Sequence, residues 1–553
     1  MRALAPFLLL LLASAPQQRR PNVVLIITDD QGYGDLGFHQ NPQIQTPHLD
    51  AFAKESFRFD SFYVSPVCSP TRASLLTGRY NYRTGVVDTF IGRSMMHADE
   101  VTIAELLASA GYRTGIFGKW HLGDNYPLRA QDQGFQECLT IRGGGIGQPS
   151  DPPGGDHYTD ATMYRNGKPF KSKGYCTDVF TDAALDFIGA QKDKPFFAYV
   201  PFNAPHTPLE VPEAVLKPYR DAGLPDVTAR VYAMVSNIDA NVGRLLAKLE
   251  ELKLTEDTIV IFMTDNGPQQ ERFNGGMRGL KGQVYEGGIR VPFFFRWPHL
   301  TSTNMLRQPH AIRSMCAHID VLPTLLEACK VDKPVGVPLD GQSFLSQTNG
   351  HLLHRDSRTL FFQWHRGDVP EKFRAAAARD PRWKLIWSTP QARPMLFDMV
   401  EDPGEKTNVE PQHADVVERL TKAYDDWFED MKKTRNFAAP RIVLDPEHED
   451  PAVLTRQDWR GPKAGWAKDS DGFWLADLPK ETRYDVTLRF RAPGAPATVT
   501  YSCGKSVDVE VAPDATSATL KGVVHPAGPA QLSATIKTEK PYGVGYIELK
   551  RVD

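Results

Sequence analysis

The sequence predicts an α/β protein: a mostly parallel sheet flanked by helices, then a small antiparallel subdomain and an appended β-sandwich. Three observations predict it. Short β-rich apolar runs alternate with helical patterns to about residue 330; a few strand-like runs and one long amphipathic pattern follow to about 435; from 441 to 553 the chain reads as short alternating strands punctuated by Gly and Pro.

Taken in order, "MRALAPFLLLLLASAPQQRR" carries an early Arg2, an apolar core from Phe7 to Leu12 and the small residues Ala13, Ser14 and Ala15. This is the layout of a secretory signal peptide over residues 1–15, so the expectation is export to a periplasmic or extracellular location. The apolar run is too short to span a bilayer and no comparable run recurs, so no stable membrane insertion is expected. The 553 residues, 41% hydrophobic with a net charge of −3, suffice for two or three domains and offer no basic field for nucleic acid.

The informative feature of the first domain, residues 21–330, is where its apolar runs stop. "NVVLIITDD" ends in Asp29 and Asp30, "YRTGIFGKWHLG" in Lys119 and His121, "PFFAYVPFNAPHTP" near His206, and "TIVIFMTDNG" in Asp265 and Asn266. In open α/β sheets ligands bind outside the carboxyl ends of the strands, so these four ends point their chemistry at one crevice. Asp29, Asp30, Asp265 and Asn266 offer only oxygen, which suits one hard cation such as calcium or magnesium. Calcium is the expected ion, because three carboxylates and an amide fit its loose oxygen geometry. Arg72, Lys119 and Lys281 lie in strand-end or Gly-flanked contexts. Beside a divalent ion they would clamp an oxyanion such as sulfate or phosphate, helped by the free N–H groups of a helix starting near Pro70.

Six cysteines at wide spacing form neither a disulfide scaffold nor a zinc pattern. Cys138 and Cys176 bracket one Gly/Pro-rich loop and are the candidate disulfide. Cys68 opens "CSPTRASLLTGR", a free thiol at a helix start in a chain expected to be exported, and so one that is paired, buried or chemically changed.

That segment resembles the CxPxR signature of the type I, formylglycine-dependent sulfatases, followed by a Leu-Thr-Gly-Arg tail. "TDDQGYGDLG", "GYRTGIFGKWHLG", "NAPHTP", "FMTDNG", "GLKGQVYEGGIRVP" and "HIDVLPTLLEAC" agree with the family in chain order, over residues 21 to about 430. The resemblance implies an alkaline-phosphatase-like fold and an exported sulfuric ester hydrolase. It implies that a formylglycine-generating maturation enzyme converts Cys68 to an aldehyde, whose hydrate provides the hydroxyl that attacks sulfur. It places Asp29, Asp30, Cys68, Asp265 and Asn266 on the metal, and Arg72 on the nucleophile and metal ligands. Lys119, His121, His206 and Lys281 fall on the sulfate and leaving-group oxygens. Asp265 would assist deprotonation, His206 with Lys281 would meet the departing alcohol, and His121 would remove the proton whose loss expels sulfate.

The substrate expected is a terminal sulfated sugar of a polysaccharide, mucin or glycosaminoglycan. Asp124, Asn125, Arg142, His157, Trp364, His365 and Arg366 are its candidate contacts, from the loops around them. Residues 331–435 read as antiparallel strands ("TLFFQW", "RWKLIWS", "PMLFDM") closed by the helix "ADVVERLTKAYDDWFEDMKKT". In the 441–553 β-sandwich Trp459, Trp466, Phe473 and Trp474 would either stack on sugar rings or pack its core and seam. Two other functions stay open at this point. A formylglycine-dependent phosphonate or phosphate ester hydrolase would need the same residues, and a non-catalytic carbohydrate-binding protein would leave Cys68 unconverted.

Overall fold

The computed structural model describes residues 20–148, 151, 157–303, 308–349 and 358–552; the expected signal peptide lies outside them. At its centre four parallel strands stand side by side: β1 (Asn22–Thr28), β2 (Arg113–Lys119), β3 (Phe196–Pro201) and β4 (Thr258–Thr264), in the spatial order β4-β1-β3-β2. They belong to a ten-stranded sheet whose flanks add antiparallel pairs.

The apolar runs are continuous because both faces of the sheet are covered. Along β1, Val23, Leu25 and Ile27 enter one core cluster and Val24 and Ile26 the other. Along β4, Ile259, Ile261 and Met263 divide from Val260 and Phe262 in the same way. The first face packs against Ala73, Leu75 and Leu76 of helix α1 (Cys68–Thr77). The second packs against the helices Cys176–Ala190 and Asp226–Glu251, through side chains such as Phe180, Ile238 and Leu245. All ten residues of α1 are buried, so it is an internal helix with no solvent face, and Gly78 in the left-handed region ends it.

This layering overturns one expectation. Cys138 and Cys176 are not bridged; both are buried free thiols. The strand bearing Cys138 turns that side chain into the cluster on one face of the sheet, whereas Cys176 packs into the cluster on the opposite face. A disulfide needs Cα atoms within about 7 Å and converging Cβ vectors, which a sheet between the two thiols forbids.

Beyond the large sheet, Leu360–Gln363, Ala376–Arg379, Trp383–Trp387 and Met395–Asp398 form an antiparallel four-stranded sheet. The helix Ala414–Arg435 covers it with Leu420, Tyr424, Phe428 and Met431. Three of these strands match the segments expected from the sequence. The fourth, the alanine-rich Ala376–Arg379, has no β-propensity signal and is held by its neighbours. Two further sheets, between Ile442 and Arg551 and antiparallel apart from the pairing of Ile442–Val443 with Phe473–Leu478, face each other across a shared core containing Trp474, Val486, Leu488, Val499, Tyr501 and Ile547. That core also takes in Ile91, Met95 and Leu128 from the first part of the chain, so the sandwich is joined to the α/β body by apolar packing. Among the described residues no helix is long and apolar enough to cross a membrane.

Candidate active site

The register of the parallel strands sets the site. Thr28 pairs with Thr264, and the amide of Asp265 donates to Thr28 O (3.0 Å), so Asp29 and Asp265 leave adjacent strand ends at the same height. Ile27 pairs with Pro201, and Asp29 N donates to Ala204 O (3.1 Å), which brings the His206 loop alongside. On the far side of β3, Gly118 has φ +142°. A Cβ there would lie 2.0 Å from Pro201 O, so only glycine lets Lys119 reach the same edge. Helix α1 then presents Cys68 at its N-terminus beneath these strand ends.

All ten sequence-predicted site residues meet here. Lys119 Nζ donates to Asp29 Oδ2 (2.6 Å), and Lys281 Nζ lies 2.6 and 2.9 Å from the two oxygens of Asp30. Arg72, fully buried, donates Nε and Nη2 to Asp265 Oδ2 (3.1 and 2.8 Å) and Nη1 to Lys119 O (3.0 Å). Asn266 Nδ2 donates to Asp30 Oδ1 (2.8 Å), and Asp30 N to Asp265 Oδ1 (3.2 Å). One ligand atom from each of Asp29, Cys68 and Asp265 lies within 4.8 Å of the others, as it does for Asp29, Asp30 and His206.

Three buried carboxylates face the three cations Arg72, Lys119 and Lys281, yet the carboxylates are not equivalent. Burial opposes the charge on Asp29, but Lys119, His206 and Arg72 outweigh it and hold the carboxyl below its usual range. Burial, with Asp29 close by, instead raises Asp265 to about 7. Asp29 Oδ1 and Asn266 Oδ1 are buried with no hydrogen-bond partner. Unpartnered buried oxygens are costly, and four oxygen-bearing side chains converging with two of them unused fit a hard divalent cation.

The histidines are oriented through the backbone. Thr89 O can only accept, so His121 donates Nε2–H to it (2.6 Å); its Nδ1 is buried and free of partners. His206 likewise donates Nδ1–H to Thr207 O (2.7 Å), leaving Nε2 3.8 Å from Asp30 Oδ2. Burial, then the positive charge of Lys119 for His121 and of Lys281 for His206, lowers both imidazoles below their ordinary value. Burial opposes the charge on Lys281, but Asp30 outweighs it and raises the ammonium, while burial raises the Cys68 thiol.

Above these groups opens a cavity of about 660 Å³ in which Cys68, His121, His206 and Lys281 share the lining with Phe90, Gln148, Arg366 and Trp466. A Gly-rich loop passes over both histidines: a Cβ on Gly144 would lie 2.6 Å from the His121 ring and one on Gly145 3.1 Å from His206. Of the seven loop residues expected to touch substrate, only Arg366 lines this cavity. Asp124 caps Gly143 N, and Asn125 donates to Glu449 and Val453 at the seam with the sandwich. Arg142 lies over the Tyr164 ring, His157 lies beside Glu210, and Trp364 donates to Asp88. His365 accepts from Glu371 N. Polar residues in loops are as often used to hold the loop as to meet a ligand. No sequence signal marks Thr89, whose backbone carbonyl holds His121, or Gln457, whose Nε2 donates to Thr89 O (2.9 Å) from the sandwich.

A family model described as Sulfatase matches residues 21–331, and one described as N-sulphoglucosamine sulphohydrolase, C-terminal, matches 280–430. The chain is 31% identical over 467 residues to the N-acetylgalactosamine-6-sulfatase of Canis lupus familiaris, covering 74% of this chain and 85% of that one. To arylsulfatase A of Homo sapiens it is 31% identical over 460 residues, 73% of this chain and 86% of that one. Among solved structures, Ps i-CgsB in complex with k-i-k-neocarrahexaose superposes with a TM-score of 0.67 at 26% identity, over 78% of this chain and 95% of that one.

Proposed function

The chain belongs to the sulfatase family, type I within the alkaline phosphatase superfamily, and from that premise we propose that it hydrolyses the sulfate ester of a sulfated carbohydrate with a formylglycine made from Cys68 and one calcium ion. It is by family a sulfuric ester hydrolase. The observation that carries the finer reading is the placing of the Cys68 thiol at a buried helix N-terminus, with Asp29 and Asp265 on one side and two histidines and Lys281 around the same cavity. The sugar as substrate draws on relatives named for sulfated N-acetylgalactosamine and on a neighbour solved with a neocarrahexaose. Export, with residues 1–15 as signal peptide, and maturation by a formylglycine-generating enzyme complete the proposal.

Asp29, Asp30, Asp265 and Asn266 would hold the cation. Once in place, the cation supplies charge neutralisation, and the hydrated aldehyde at position 68 a hydroxyl nucleophile with a second hydroxyl beside it. The chain's own residues do the rest. Arg72 fixes Asp265 and the Lys119 carbonyl together, so the carboxylate that would accept the nucleophile's proton is held at a set place beside Lys119. Lys281 carries positive charge beside His206, and together they meet the departing alcohol oxygen. His121, with Nε2–H committed to Thr89, offers Nδ1 as proton acceptor for sulfate release.

The test is the intact mass of the Cys68 peptide after co-expression with a formylglycine-generating enzyme, with sulfate release from sulfated saccharides on the same sample. A loss of about 18 Da, thiol to aldehyde, is expected. It should come with sulfate release that vanishes in Cys68→Ala and in EDTA and returns with calcium. Conversion without release from any sulfate ester would reject the sulfuric ester reading, and full activity in Cys68→Ala would reject the nucleophile. Restoration by magnesium alone would reject calcium.

A further inference from the structure

The family models end at residue 430, yet the sandwich that follows reaches the cavity. Its entry is the segment between the strands Ala452–Thr455 and Phe473–Leu478. Gln457 Nε2 donates to Thr89 O (2.9 Å) and Ser94 Oγ (3.2 Å). Gly92 N donates to Gln457 O (2.8 Å), and Arg460 Nη1 to Gly92 O (2.7 Å). The 89–94 turn, which orients His121, is therefore clamped by the sandwich.

Three tryptophans of this segment and the following strand divide by role. Trp459 and Trp474 are fully buried in the sandwich core, as the packing expectation has it, whereas Trp466 is 43% exposed. Among the described residues, the large exposed apolar side chains are valines apart from Trp466 and Phe273. The exposed indole lines the same cavity as Cys68. It packs on Phe90 with ring centroids 4.6 Å apart at 57°, and the Arg366 guanidinium lies 4.2 Å from the Phe90 ring.

Resting on the sulfatase reading above, we infer that Trp466, with Phe90 beside it, is a platform for the sugar ring next to the sulfated one, so that the appended sandwich sets how much of a saccharide this enzyme reads. A pyranose has an apolar face of C–H groups that packs on an aromatic face, while its hydroxyls need donors at the rim, which Arg366 supplies. An exposed indole is otherwise unfavourable, because its apolar surface stays in water. A cavity of about 660 Å³ also exceeds what one sulfate ester needs and falls in the range of sites that enclose whole ligands.

The experiment compares full-length wild type, Trp466→Ala and Trp466→Phe, all matured and matched for melting temperature. The probes are chondroitin 6-sulfate and carrageenan oligosaccharides, assayed for both binding and sulfate release, and 4-nitrophenyl sulfate. Trp466→Ala is expected to lower kcat/KM for the cleaved oligosaccharide about tenfold more than for the aryl sulfate, through KM, with Trp466→Phe recovering most of the loss. An equal change on both probes, or none, overturns the platform. So does a wild type that cleaves the aryl sulfate but neither binds nor cleaves any oligosaccharide, which leaves the sulfatase reading standing. If wild type frees no sulfate at all yet binds an oligosaccharide that Trp466→Ala releases, the hydrolase reading falls and the platform stands.

Discussion

At the scale of single residues, the molecule separates the two histidines that line the cavity, His121 and His206, from one that only packs. His318, buried in the turn before the helix Val321–Cys329, sits with Nε2 3.1 Å from Ser65 Oγ, and its Nδ1 has no partner. Burial outweighs the nearby Asp320 charge and pushes the imidazole down to about 3. The folded state therefore keeps His318 neutral while the unfolded chain protonates it near its ordinary value. Between those two values the unfolded state binds more protons, so stability is full above about pH 6.5 and falls as pH drops toward 3. In urea unfolding, His318→Gln should flatten the acid-side slope by about 1.4 kcal/mol per pH unit. Identical slopes for the two proteins would refute the assignment.

At the scale of elements, strand ends make the site and close approach makes the strand ends. Gly118 passes so near Pro201 O, at φ +142°, that any Cβ forces β2 and β3 apart beside Lys119. Gly118→Ala should therefore cost about 1–3 kcal/mol in overpacking and strain. A melting temperature equal to wild type would show that the strands can separate freely. Helix α1 carries the same logic. A helix buried on every side cannot rotate, so the Cys68 end stays fixed relative to Asp29 and Asp265.

At the scale of the whole molecule, buried charge adds to the apolar packing that joins the large sheet's body to the antiparallel sheet. Lys384, fully buried on the antiparallel sheet, lies 2.8 Å from Glu405 and 3.2 Å from Glu286, which follows the loop bearing Lys281. Lys384→Met would leave the buried Glu405 without its cation and Glu286 with only Arg290 and Arg379 at 3.8 Å, and should lower stability by about 3–5 kcal/mol in urea unfolding. Adding Glu286→Gln and Glu405→Gln should recover part of that loss. A Lys384→Met protein as stable as wild type would mean that the carboxylates are already neutral.

What the sequence determined by itself is the α/β class and which ten side chains come together at the candidate site. Asp29, Asp30, Cys68, Lys119, His121, Asp265 and Asn266 sit at or next to strand or helix ends, with Arg72 inside the helix that Cys68 opens and His206 and Lys281 in loops, all in segments marked by an apolar run, a Pro or a Gly, which are local signals. What only the tertiary structure decided is everything that depends on which faces meet. Cys138 and Cys176 look like a pair along the chain and lie on opposite sides of a sheet, because successive strand residues point to opposite faces. Six of the seven loop residues with sugar-binding character turn out to hold loops and seams, since a polar side chain satisfies the nearest partner regardless of its type. Gln457 reaches the Thr89 carbonyl, and Trp466 the cavity, from the sandwich more than three hundred residues beyond Cys68. No local pattern encodes a contact across that distance; it exists because the sandwich core takes in Ile91, Met95 and Leu128 from the α/β body.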